Sequence, residues 1–304
     1  MNRKLTLHIL ATLLAAAPFS SCVRDDIEAC PPLQVNVTVK DKNYLNVDKA
    51  TLNMANLNEK LPDDLAFRAY VPTLCYVLRD AATGKVMHEQ AVFAVEGDAQ
   101  QVSLTFPESL PHGKYVLTVW GGLDNADQLS ADRLSFNLHA EQAPGADVFV
   151  TNDTLVYDAW NHLYSVDMER TKGKLVIQAT NLPKGITASR KSVDGLFGKV
   201  NSQFQYTGTA AVHTAASWTA PKDLMTKTVL APSVKESASL LRVNFDGTDH
   251  QGPISYVPAD VRINTNRNEL TLLRYVYEED SDGFNIYLLV DDGWTLIHDM
   301  SVEE

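Results

Sequence analysis

Residue types able to do chemistry are thinly spread along this chain. Eight histidines lie at 8, 88, 112, 139, 162, 213, 250 and 298, and none is paired at metal-ligand spacing. His88-Glu89 lacks the second histidine of a zinc-protease motif, and neither a nucleophile elbow nor a phosphate-binding loop is present. Two loops, Asp124-Asn-Ala-Asp127 and Asp246-Gly-Thr-Asp-His250, carry oxygen ligands that calcium could use. Neither has the EF-hand spacing, and Asp and Asn at such places more often satisfy turn backbones. Trp120, Trp160, Trp218 and Trp294 could together form a sugar-binding platform, or serve as core anchors. The expectation is a chain with no catalytic residues, no metal and no cofactor, hence not an enzyme.

The thiols are more informative. The chain opens MNRKLTLHILATLLAAAPFSSC: Arg3 and Lys4, a mostly apolar run from Leu5 to Ala17, then small residues before Cys22. The run is too short to span a membrane and reads as a secretory signal that is removed. With the cysteine directly after the small residues, the segment resembles a bacterial lipobox, in which Cys22 becomes the acylated first residue. Phe19 stands where a leucine is usual. Two or three acyl chains would anchor the protein stably in the outer membrane without spanning it. Arg24, Asp25, Asp26 and Glu28 follow, an acidic patch unsuited to a packed strand. They resemble the surface-export signal of Bacteroidota lipoproteins, which implies an outer-membrane protein facing the cell exterior. Once Cys22 is acylated, Cys30 and Cys75 remain as an even pair in an exported protein. They form either a disulfide or two buried thiols.

A net charge of −12, with no basic cluster, excludes a nucleic-acid partner on electrostatic grounds. The elements that would carry these residues are strands. Leu33–Lys40, Val102–Phe106, Leu134–Leu138, Leu241–Phe245 and Phe284–Tyr287 alternate apolar and polar, as half-buried antiparallel strands do. Tyr115–Trp120 and Lys174–Gln178 read as strands buried on both faces. Turns at Ala82-Thr-Gly84, Pro111-His-Gly113, Gly121-Gly122, Asp282-Gly283 and Asp292-Gly293 separate them. Thr51 to Leu61 is a short helix or a loop. The expected fold is all-β, two tandem antiparallel β-sandwich domains. The expected divisions are a signal peptide (1–21), an acidic tether (22–32), and sandwiches at 33–160 and 161–304. Ser165–Arg170 would open the second.

Several pieces together resemble the Bacteroidales fimbrial anchor lipoproteins of the FimB type. They are Cys22 with its acidic follow-on, Cys30-Pro-Pro-Leu-Gln-Val-Asn-Val37, Val71–Asp80 with Thr83-Gly84, and Leu110–Leu123. Within the last, Pro111, Gly113, Tyr115, Trp120 and Gly121 fall on a family element, and Cys30 and Cys75 fall on its two cysteines. The match covers most of residues 19–180 and thins beyond. It implies two transthyretin-like sandwiches, a place at the base or tip of a fimbria, and a pilin subunit as partner. In the family's polymerising relatives, cleavage after an arginine removes the first strand, and a donor strand from another subunit fills the groove. Here Arg24 is the only basic residue between Cys22 and the first strand, so cutting there leaves that strand in place. An anchor is therefore expected to contact the next subunit through its C-terminal region. The candidates are Ile286, Leu288, Val290, Trp294 and Leu296; the alternative is that these are internal strands of the second sandwich. The competing function is a glycan-binding lipoprotein using exposed tryptophans.

Overall fold

The computed structural model describes residues 31–219, 221–234 and 239–298. Strands dominate because most segments alternate in burial. In the N-terminal half they are β1 (Gln34–Val39), β2 (Thr73–Asp80), β3 (Val86–Ala94), β4 (Val102–Thr105), β5 (Gly113–Gly121), β6 (Ser135–Asn137), β7 (Phe149–Tyr157) and β8 (Leu163–Arg170). All but β6 form one sheet in the order β3-β2-β5-β7-β8-β1-β4. The β7–β8 link is confined to Phe149 opposite Arg170 and Val150 opposite Glu169. Side chains from β1, β4 and β8 share a core with those of β2, β5 and β7, so the sheet closes on itself as a sandwich.

The remaining strands are β9 (Gly173–Thr180), β10 (Ile186–Asn201), β11 (Tyr206–Ser217), β12 (Leu224–Leu230), β13 (Ser239–Asp249), β14 (Gly252–Tyr256), β15 (Val261–Ile263), β16 (Leu270–Glu278), β17 (Gly283–Val290) and β18 (Gly293–His298). One sheet runs β11-β10-β13-β14, with β15 on β13 and β6 on β10; the other runs β12-β9-β16-β17-β18. Their shared core also takes in Cys75, Trp120, Val148 and Val150 from the N-terminal half. This explains why Tyr115–Trp120 lacks clean alternation: Tyr115, Leu117 and Val119 face one core and Trp120 the other. The same holds for β9, where Leu175 and Ile177 point to the second core and Val176 to a third, smaller one. That third cluster is built on helix α1 (Val47–Asn53), so the helix starts earlier than the sequence suggests and ends before Leu61. A one-turn helix, α2 (Phe67–Tyr70), precedes β2.

Two features depart from expectation. Pairing is antiparallel except for β1 with β8 and β9 with β16, which run parallel. And β8, which contains Ser165–Arg170, belongs to the first sheet rather than opening the second, so the division between sheets falls at Thr171–Lys172. The physical reason is that β1 needs a partner on each edge, and β8 supplies one of them. From Pro32 onward the strands belong to one compact unit.

The β8–β9 crossing is pinned by buried polar groups. The Arg170 guanidinium donates to Asp147 Oδ2 (2.9 Å) and Asn268 Oδ1 (2.6 Å), and it stacks on Tyr44 and Phe149. Its backbone N–H donates to Asp41 Oδ2 (2.8 Å). Lys172, fully buried, donates to the Leu138 and Pro144 carbonyls (2.6 and 2.8 Å). Gly173 is required next: a Cβ there would lie 2.2 Å from the Asn266 carbonyl oxygen.

Candidate assembly surface

The C-terminal hairpin ends the second sandwich. β18 pairs only with β17, so among the described residues its outer N–H and C=O groups have no strand partner. Natural edge strands are usually blunted by brevity, charge or proline. β4 has four residues, β12 carries Lys227 and β14 carries Pro253. β18, GWTLIH, has no lysine, acid or proline. It also shows large apolar side chains to solvent, Leu296 at 43% and Ile297 at 38% exposure; Val290 of β17, 44% exposed, lies opposite Gly293 at the turn end of the hairpin. Ile297 is the extra residue of a bulge: Ile286 pairs with His298 and Tyr287 with Leu296. The bulge twists the edge locally, the one edge-blunting device β18 carries, and Ile297 at it is exposed.

The hairpin is held from within. Trp294 is half-buried, with Arg274 packed on its ring (4.2 Å) and its Nε1–H donating to the Asn53 carbonyl (3.3 Å) at the end of α1. A cation over an indole contributes about 0.5–2 kcal/mol. Leu288 packs on the second core. Ile286 is wholly buried there, which corrects its expected role: it cannot reach another subunit. Of the five residues read from sequence, Val290 and Leu296 are exposed, while Leu288 packs on the second core and Trp294 on the third cluster. Ile297 is not among the five. Its signal is the run Leu296-Ile297, two adjacent apolar residues that a regular strand buries only when both of its faces are covered.

At the other end, β1 is interior. It pairs with β8 at six positions and with β4 at four, so both backbone edges are occupied. Leu33, Val35, Val37 and Val39 are buried in the first core. Thr38 bonds to Asp167, and Ser103 Oγ donates to Asn36 Oδ1 (2.6 Å). Cys22, Arg24, Asp25, Asp26, Glu28 and Cys30 lie outside the described residues. Cys75 is a buried free thiol, and burial pushes its pKa up to about 11.

The tryptophans do not form a platform. Trp120 is buried with its Nε1–H on the Arg133 carbonyl (2.8 Å), and Trp218 is half-buried with its Nε1–H on Ser189 Oγ (2.9 Å). Only Trp160 stands free, 90% exposed, in a turn organised by Asp158 Oδ1, which accepts the backbone N–H groups of Trp160 and Asn161. The acidic loops are spent on structure: Asn125 Oδ1 accepts the Asp127 N–H, Asp249 Oδ1 those of Gln251 and Gly252, and Asp246 pairs with Arg190.

No family model matches the chain, and no curated protein matches it. Solved structures do. It superposes on a proposed adhesin from Bacteroides ovatus with a TM-score of 0.53 at 14% identity, covering 92% of this chain and 98% of that one. A proposed adhesin from Bacteroides thetaiotaomicron gives 0.55 at 11% identity, over 90% and 100% of the two chains. A proposed polysaccharide-binding protein from the same species gives 0.51 at 12% identity, over 88% and 99%. The fold is therefore one found in Bacteroides proteins of that description, and the FimB-type resemblance is consistent with it.

Proposed function

We propose that this chain is a lipid-anchored, cell-surface protein that holds a fimbria by binding a pilin subunit through strand addition at β18. The observation that carries the reading is the contrast between the two terminal strands. β1 is paired on both edges, whereas β18, among the described residues, offers one unpaired apolar edge without charge or proline. In strand addition, backbone hydrogen bonds give affinity, at a net of about 0.5–1.5 kcal/mol each, and alternate side chains give selectivity. Val290, Leu296 and Ile297 would supply the apolar contacts. Support for a surface location comes from the fold shared with proposed adhesins and from the lipobox-like residues ending in Cys22.

Capture of a purified pilin subunit by the immobilised mature protein tests the interface. The double substitution Leu296→Lys and Ile297→Lys should lower capture at least about tenfold, because charge on an edge blocks pairing. Undiminished capture by a folded double variant removes β18 from the proposal. For the anchor, Cys22→Ala should abolish metabolic labelling with an alkyne fatty acid and release the protein from membranes. Equal labelling of the variant rules Cys22 out.

A second reading rests on Trp160, whose open face suits stacking on a sugar ring. Titration with polysaccharide should then show binding that Trp160→Ala removes; retained binding by that variant sinks this reading.

A further inference from the structure

The second sandwich encloses a cavity of about 170 Å3 between its sheets, at the side where β11 and β12 are the terminal strands. Among the described residues no further strand of either sheet covers the gap, and the exposed Ala215 and Lys227 line it. Ile177, Leu224, Val243 and Phe245 give it an apolar wall.

Into this space the fold places a lysine. On β10, Ser189, Lys191 and Val193 share the inward phase and all three are buried, so Lys191 sits where alternation calls for an apolar side chain. It is only 9% exposed. Its ammonium group has three N–H donors, and the structure gives it one partner, Thr226 Oγ1 at 2.9 Å. Among the described residues, no carboxylate lines the cavity. The other two cations on its walls are already paired, Arg190 with Asp246 (2.8 Å) and Lys227 with Glu59 (2.8 Å). Lys172, the other buried lysine among the described residues, differs: its ammonium group donates to two backbone carbonyls. A buried cation without an anion costs several kcal/mol, which a counter-charge at hydrogen-bond distance offsets. The volume is close to the roughly 150 Å3 of an engineered apolar cavity that admits benzene.

We propose that this cavity is a binding site for a small monocarboxylic acid. The carboxylate accepts hydrogen bonds from Lys191 Nζ and Thr226 Oγ1, and the apolar body packs against Ile177, Leu224, Val243 and Phe245. Charge balances one to one. The site is independent of the β18 edge, which lies at the opposite end of its sheet from β12.

Benzoate is the probe, with benzamide as its neutral isostere, titrated calorimetrically and by thermal melting into the full mature chain near neutral pH. Benzoate should bind one to one with a Kd on the order of 1 mM or tighter and raise Tm. Benzamide should bind at least about tenfold more weakly. Lys191→Met, which replaces a buried cation with an apolar chain of similar length, should fold and lose the benzoate response. Thr226→Val should weaken the response several-fold. The proposal is overturned by any of three results: no benzoate binding to the wild type at about ten times the expected Kd, equal binding of benzamide, or an unchanged benzoate response in folded Lys191→Met.

Discussion

The first and last described strands are built from similar material and placed in opposite situations. β1, QVNVTV, is uncharged and alternates; β18, GWTLIH, is uncharged and apolar. β1 lies between β8 and β4, with every inward valine buried. Among the described residues β18 has a neighbour on one side only, and it leaves Leu296 and Ile297 in solvent. Propensity does not separate them; neighbours do. A strand used up on both edges serves stability, and a strand used up on one remains available to something else.

The largest test of that contrast is a charge placed on each strand. Val37→Asp should cost about 4 kcal/mol or more, because it buries an unpaired carboxylate, whereas Leu296→Asp should stay within about 0.5 kcal/mol. Urea titration of both variants measures it, and equal losses would erase the distinction between the strands. Acid should act next most strongly, with one buried histidine as its clearest target. His139 is buried, its Nδ1–H donating to the Ala143 carbonyl and its Nε2 accepting the Ala231 N–H, so neither nitrogen is free for a second proton. Burial, with the Lys172 charge behind it, lowers its pKa to about 4. The unfolded ring takes up a proton near pH 6.5 and the folded ring does not. Stability is therefore full above pH 6.5 and declines as the pH falls through 4, by up to about 3 kcal/mol. His139→Gln should be weaker at neutral pH and show a flatter dependence over that interval; an unaltered slope assigns the acid sensitivity elsewhere. Trp294→Ala comes third. Losing the Arg274 stack and the Asn53 bond should cost about 1–2 kcal/mol and speed hydrogen exchange in β17 and β18 while leaving β1 protected. Acceleration in β1 would mean the hairpin is not a separate unit. The smallest expected effect is from Leu296→Lys with Ile297→Lys, about 0.5 kcal/mol or less in stability despite its effect on capture.

Much of the strand content is legible in the sequence. Leu33–Lys40, Val102–Phe106 and Phe284–Tyr287 alternate because one face of each meets a core, and Tyr115–Trp120 loses its alternation because both faces do. Pairing is not legible. β8 reads as belonging to the second half because nothing local in LYSVDMER reveals a parallel partner 129 residues earlier, the separation of the Thr38–Asp167 bond. β6 is recognisable as a strand, but its bond to β10 in another sheet is not. The β10–β11 hairpin is hidden because Gly195 at its bulge and the Thr-Gly-Thr-Ala-Ala stretch blur the period. At the candidate surface, the segment is legible and the individual roles are not, since Ile286 and Leu296 look equivalent until the edge is located. Lys191 is invisible for the same reason: a lysine between Arg190 and Ser192 reads as solvated until β12 is laid across it.

The parallel register of β1 beside β8 has a mechanical consequence. A tension applied through the residues preceding Gln34 enters the molecule along the strand axis. It is then shared by six rungs on one flank and four on the other, which must slip together rather than break singly. Pulling across the hairpin at the far end would instead open the five rungs joining β17 and β18 in succession. Under strain the grip at the leading strand should outlast the grip at the trailing one.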